Sequence, residues 1–97
     1  MHKLKGYVIV RSDKAGVFAG DLIGYEGTTA ILGSARRLWY WEGAASLSQM
    51  AMTGTSLPAK CKFPIAVTVV YLPDVIEILE ATPAARKSIE SVPVWQQ

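Results

Sequence analysis

Ninety-seven residues make one domain with a thin core, because a chain this short buries only roughly 60–65% of its unfolded surface. A composition of 51% hydrophobic and 19% charged residues excludes an intrinsically disordered chain. A net charge of +2 is too small to indicate nucleic acid by itself, and no run of about 18 apolar residues offers a transmembrane helix.

Residues 7–11 (YVIVR) are apolar in both alternating sets, which predicts a strand buried on both faces. Asp13, Lys14, Ala15 and Gly16 form a turn. Residues 17–26 are a long second strand in which Gly20 and Gly24 mark bends or bulges, as at the corner of a small barrel. Gly27 and Thr28 close a hairpin into a third strand, residues 29–33. Ser34 and Ala35 read as a link and residues 36–41 as a fourth strand. Alternation puts Leu38 and Tyr40 on one of its faces, and Arg37, Trp39 and Trp41 on the other.

Gly43 breaks that strand. Ser46 with Gln49 fits a capping box that starts a helix through about Met52, and Gly54 stands at its C′ position. Leu47, Met50 and Ala51 share the apolar face of this helix. Residues 55–62 are a polar loop around Pro58. Phe63 and Pro64 open a fifth strand, residues 65–72, and Pro73-Asp74 turns into a sixth, residues 75–81. On the sixth, Ile76 and Ile78 are read as inward and Glu77 as outward. Thr82 and Pro83 are N-cap and N1 of a helix over residues 84–90. Residues 92–95 are an extended tail that Pro93 confines to an edge or surface pairing.

No internal repeat, linker or low-complexity segment divides residues 1–97. The spacing predicts a mainly β, β-rich α+β domain. The architecture expected is a small SH3/Sm-like antiparallel barrel of about six strands, with one short helix between the fourth and fifth strands and another near the C-terminus. The surplus of apolar residues over what a thin core needs points to a homo-oligomer. The charged N-terminus (MHKLKG) has no following apolar region with a cleavage site, so a cytoplasmic, unprocessed protein is expected.

Catalytic and metal chemistry have little material. His2 is the single histidine, without a clustered nucleophile or acid. Cys61, the single cysteine, lies between Lys60 and Lys62, a cationic setting of the kind reactive thiols use, but without a histidine partner it reads as inert. Gly20, Gly24 and Gly27 sit on strand-like sequence and not in a phosphate loop. Glu77 and Glu80 form a strand-end surface. No catalytic residue, metal site or cofactor is therefore assigned.

Binding chemistry concentrates in residues 36–55. Trp39 and Trp41 offer faces on which a base stacks. Arg36 and Arg37 can pair a phosphate through the guanidinium fork. Ser46 and Ser48 open the helix, whose N-terminus attracts anions. Arg11, Ser12 and Lys14 end the first strand and would converge on these groups in a closed barrel. Charge placement agrees: residues 1–62 hold eight cations and four anions (+4), and residues 63–97 hold two cations and four anions (−2). The alternative reading makes Trp39 and Trp41 core or subunit-interface residues with the arginines solvated.

Residues 7–38 resemble the strand order of Sm-like small barrels, although the helix near residue 46 departs from that pattern. The whole chain resembles a family of small uncharacterised tailed-phage and prophage proteins. The segments that carry this likeness are VIVRSDKAGVFAG (8–20), ARRLWYWEGAASLSQMAMTGT (35–55), CKFP (61–64) and VPVW (92–95). The resemblance implies a phage setting, brings no catalytic residues, and by analogy points to binding, including sequestration of host nucleotide signals in anti-defence. The expectation is a non-enzymatic binder of an anionic nucleotide-type ligand, without membrane association. The alternatives are a structural or protein–protein interaction module, and a single-stranded nucleic-acid binder.

Overall fold

The computed structural model describes residues 6–96. The readings placed on the first five residues, His2 among them, lie outside this range. The elements are β1 (Tyr7–Ser12), β2 (Gly16–Glu26), β3 (Thr29–Arg37), α1 (Leu47–Thr53), a 3₁₀ turn (Pro58–Lys60), β4 (Val67–Leu72), β5 (Val75–Glu80) and α2 (Pro83–Ser91). The strands pair antiparallel in one sheet of order β4-β3-β2-β1-β5.

The domain is mainly β, as alternation and turn chemistry predict, but the sheet is open and five-stranded. The expected link at Ser34-Ala35 and the separate fourth strand do not form. Ser34 takes a positive φ of 48°, and the strand runs through this irregularity to Arg37. Beyond Arg37 the chain leaves the sheet and keeps only an isolated bridge between Tyr40 and Lys62.

β4 and β5 form the two edges, yet only Pro73-Asp74 separates them in sequence. The sheet therefore curls strongly, in the sense that strand twist favours. The turn is fixed from both sides: Asp13 N–H donates to the Asp74 carbonyl, and Val75 N–H donates to the Thr28 carbonyl.

Two cores result. Inside the curl lie Val8, Val10, Phe18, Ala30, Leu32, Ala35 and Leu72. On the other face the helices pack over Tyr7, Ile9 and Ala19 with Met50, Ala51, Phe63 and Ile89. β1 lies between the two, so Tyr7, Val8, Ile9 and Val10 are all buried, as their uninterrupted apolar run predicts. Each such burial contributes about 1.5–3 kcal/mol.

Gly20 and Gly24 do mark irregular pairing, for the β2–β3 register shifts at Ala19/Asp21 and again at Leu22/Gly24. At Gly20 a Cβ would stand 2.9 Å from the Gly33 carbonyl oxygen, so only glycine allows this approach. The inward reading of Ile76 does not hold. The β1–β5 register shifts between Arg11 and Ser12, and Ile76, beside that shift, is 56% exposed.

Both helix starts follow their caps. Ser46 Oγ accepts from Gln49 N–H while Gln49 Oε1 accepts from Ala45 N–H. Thr82 Oγ1 accepts from Ala85 N–H and donates to the Met52 carbonyl, tying α2 to the end of α1. The tail pairs with its own chain: Val94 bridges Phe63, and Trp95 N–H donates to the Phe63 carbonyl. Among the described residues no helix is long and apolar enough to cross a membrane.

Candidate functional site

Arg36 and Arg37 are neighbours on a strand and so point to opposite faces. Arg36 points under the helices and is only 6% exposed. Its Nε donates to the Pro64 carbonyl at 3.2 Å. One terminal nitrogen reaches Ile89 O at 3.0 Å and Val92 O at 2.8 Å. The other reaches Phe63 O at 2.7 Å and Pro93 O at 3.4 Å. A guanidinium has five donors, and all five meet backbone carbonyls. Burial lowers the Arg36 pKa, against a smaller opposing influence of Tyr7. Arg36 is thus a strap joining β3 to the 63–64 segment and the C-terminal tail. It has no donor left for a ligand, which corrects its assignment as a phosphate-pairing residue.

Arg37 lies on the open side. Its guanidinium stacks on the Phe18 ring, 4.3 Å from the centroid, and donates one hydrogen bond to the Ala15 carbonyl at 2.7 Å. These two contacts orient the fork and leave its other donors without a partner among the described residues. Arg37, Lys14, Gly16, Trp39 and Trp41 line an open cleft of about 420 Å³, with Asp13 also in its wall. Of the residues expected to converge, Lys14, Arg37, Trp39 and Trp41 meet at this cleft, and Arg11, Ser12, Arg36, Ser46 and Ser48 do not line it.

The two tryptophans differ in depth. Trp41 is half-buried against the helical core. Trp39 is 62% exposed and stacks on Trp95, with ring centroids 6.3 Å apart and planes 12° from parallel. Lys62 Nζ stands 5.7 Å from the Trp95 ring and 5.5 Å from the Tyr40 ring. The exposed aromatic ledge thus carries its own cation. Tyr40 does not share the fate of Leu38. Leu38 is buried, whereas Tyr40 is exposed and its hydroxyl donates to Glu42 at 2.7 Å, which raises its pKa.

The remaining predicted site residues are elsewhere. Arg11 sits opposite Glu77 across β1–β5 and pairs with it at 3.2 Å. Ser12 is buried and holds the turns, donating to the Pro73 carbonyl and accepting from Ala15 N–H. Ser46 spends its hydroxyl on the cap, and Ser48 is exposed on a helix of only seven residues. Neither lines the cleft. Cys61 is buried with its sulfur near Glu42 O, Thr55 Oγ1 and Leu57 O. Among the described residues no three His, Cys, Asp or Glu side chains cluster as metal ligands.

Lys62 and Trp95 are the site residues that sequence spacing misses. Trp95 belongs to a segment read only as a pairing tail, and Lys62 to a loop. Their meeting depends on the Phe63–Val94 bridge, a parallel pairing between segments far apart in the chain.

No curated protein and no solved structure matches the chain. A match over residues 5–89 places it by descent: the chain belongs to the family described as a domain of unknown function, DUF6948.

Proposed function

We propose that this protein is a non-enzymatic binding module whose open cleft takes an anionic, base-containing ligand of nucleotide type. The observation that carries this reading is the convergence of Arg37 and Lys14 with the faces of Trp39 and Trp41 around one cleft. An exposed Trp39 face supplies stacking, worth roughly 1–3 kcal/mol per base. Arg37, held by Phe18 and Ala15, supplies a pre-oriented fork for phosphate. Asp13 opposes the anion from the same wall, so specificity rests on stacking and the arginine more than on net charge. The resemblance to phage proteins supports a phage or prophage setting, with sequestration of a host nucleotide signal as the role.

Calorimetric titration against mono-, di- and cyclic nucleotides, with inorganic phosphate as the base-free control, tests this. Binding of a nucleotide that Trp39→Ala or Arg37→Ala weakens at least tenfold is expected. Silence across the panel, or unchanged affinity in the double variant, overturns it.

A second reading, a homo-oligomeric interaction module, is favoured by one observation. Ile23, Ile65, Val67, Val69 and Tyr71 are all exposed around β4. The interface in this reading lies on the sheet edge and not on the Trp39 stripe.

A further inference from the structure

The two edges of the sheet are built differently. β5 (VIEILE) carries Glu77 and Glu80. β4 (VTVVYL) carries no charge and no proline, the devices that keep exposed strand edges from pairing. It is hydrogen-bonded to β3 on one side only.

The face of β4 is also unguarded. Tyr71 lies opposite Ile31, Val69 opposite Gly33, and Val67 opposite Ala35. Val67, Val69 and Tyr71 follow period 2 and so share one face. Ile23 joins them. It is the extra residue on β2 where the register shifts between Leu22 and Gly24, and its Cδ1 lies 2.8 Å from where a Cβ on Gly33 would stand. With Ile65 these side chains are 44–70% exposed. Pairing along this edge sets Val67, Val69 and Tyr71 beside the strand that is added, while Ile23, two strands in on β2, keeps the neighbouring face apolar.

Resting on the oligomeric reading above, we infer that β4 pairs antiparallel with β4 of a second copy about a two-fold axis through Val69. An axis perpendicular to the sheet maps each face onto itself, so a residue can only oppose one of its own face. Placing Val69 opposite itself sets Val67 against Tyr71 of the second copy, twice over. Pairing of an aromatic with a β-branched residue is a favourable cross-strand combination. It also brings Tyr71 of the second copy toward an apolar groove of about 350 Å³ that includes Ile65, Ala66 and Val94, adding to the covered area. The pairing consumes both β4 edges, and the acidic β5 edges do not extend it, so assembly stops at two.

Sedimentation velocity on the full chain tests the inference. The parent should run at twice the 10.5 kDa chain mass. Val69→Lys puts two like charges face to face on the axis and should return a folded monomer with unchanged circular dichroism, while Ile76→Lys on β5 should stay dimeric. Register is read by cross-linking. Opposed Cα atoms lie about 4.5–5.5 Å apart, within disulfide reach, so V69C should cross-link to itself under diamide. The two copies of V67C lie about 13 Å apart along the strands and should not. A parent that is monomeric at every soluble concentration overturns both the pairing and the oligomeric reading, and leaves the edge to a strand of another protein. A dimer that survives Val69→Lys, or that cross-links through V67C and not V69C, overturns the β4 register alone.

Discussion

Replacing Arg36 by methionine measures the strap directly. Methionine nearly fills the same space, so the cavity contribution is small. What is lost is five hydrogen bonds. Those to Ile89 O, Val92 O and Phe63 O are buried; Ile89 O and Phe63 O keep the Val92 and Trp95 N–H donors, so the orphaned carbonyl is Val92 O, at about 1–3 kcal/mol. The bonds to Pro64 O and Pro93 O are only partly buried, and water replaces them at little cost. Against this, the variant no longer desolvates a guanidinium, which recovers part of the loss. The net expectation is destabilisation by about 2–4 kcal/mol, from one orphaned carbonyl and the loss of charge-assisted bonds to the others, with no unpaired charge left behind. For a domain of this length that lowers Tm by about 10–25 °C. Arg36→Lys keeps the charge but offers three donors on one nitrogen, so it should lose about 2–3 kcal/mol. Guanidinium chloride unfolding followed by tryptophan fluorescence gives both values. If Arg36→Met unfolds within about 1 kcal/mol of the parent, the strap is energetically idle and the reasoning fails. If Arg36→Lys keeps its stability and loses ligand, Arg36 faces the ligand after all.

Truncation after Ser91 removes the Val92 and Pro93 carbonyls, the Val94 bridge and the Trp95 stack together. It should destabilise the chain by about 3 kcal/mol yet leave the sedimentation mass unchanged, because the tail docks on its own chain. Combined with Arg36→Met, its cost should fall short of the sum, since both act on one network. Tyr7 supplies a pH prediction. Burial first, and then the Glu90 carboxylate, push its pKa from 10.0 up to about 12. The unfolded chain therefore loses this proton first, so the contribution of Tyr7 is whole below pH 10 and is lost as pH rises toward 12. Denaturation midpoints of the parent should fall across that window, with tyrosinate absorbance rising alongside, and Tyr7→Phe should flatten the fall. Equal slopes for parent and variant would place the alkaline sensitivity elsewhere.

Local chemistry made much of the fold legible. The double burial of β1 followed from an unbroken apolar run, the irregular β2–β3 pairing from the β2 glycines, and both helix starts from Ser46 and Thr82. Strand count failed at Ser34, because a small residue at positive φ inside a strand looks like a link. Barrel closure failed because it depends on edge pairing between β4 and β5, for which no local signal exists. Arg37, Trp39 and Trp41 line one cleft, but the chain leaves the sheet after Arg37 and the alternation read through residue 41 fails at Tyr40, which is exposed where Leu38 is buried. The site was not legible where depth matters. Arg36 and Arg37 are chemically identical in sequence, and only the strand register and the packing of the tail distinguish them. Ser12 and Arg11 failed for a similar reason, being committed to the Pro73 carbonyl and to Glu77.

What separates the two arginines is one extra residue. Between Ala19 and Asp21 on β2 there is a single residue, whereas between their partners Arg36 and Gly33 on β3 there are two. Without that insertion, regular pairing outward from Asp21–Gly33 would set Arg36 opposite Phe18, and Arg37 one step further on. With it, Arg36 stands opposite Ala19 under the helices, and Arg37 stands opposite Phe18 at the cleft. The β3–β4 ladder, by contrast, keeps step across Ser34, with Gly33 opposite Val69 and Ala35 opposite Val67. The irregularity is thus absorbed on the β2 side, at Gly20, where any side chain would strike the Gly33 carbonyl. A one-residue slip exchanges the faces of a whole strand. The bulge at Gly20 and Ser34 therefore decides at once which arginine holds the tail and which meets the cleft. The strap and the cleft wall fall on adjacent residues of β3, and the bulge that Gly20 admits opposite Ser34 and Ala35 places both.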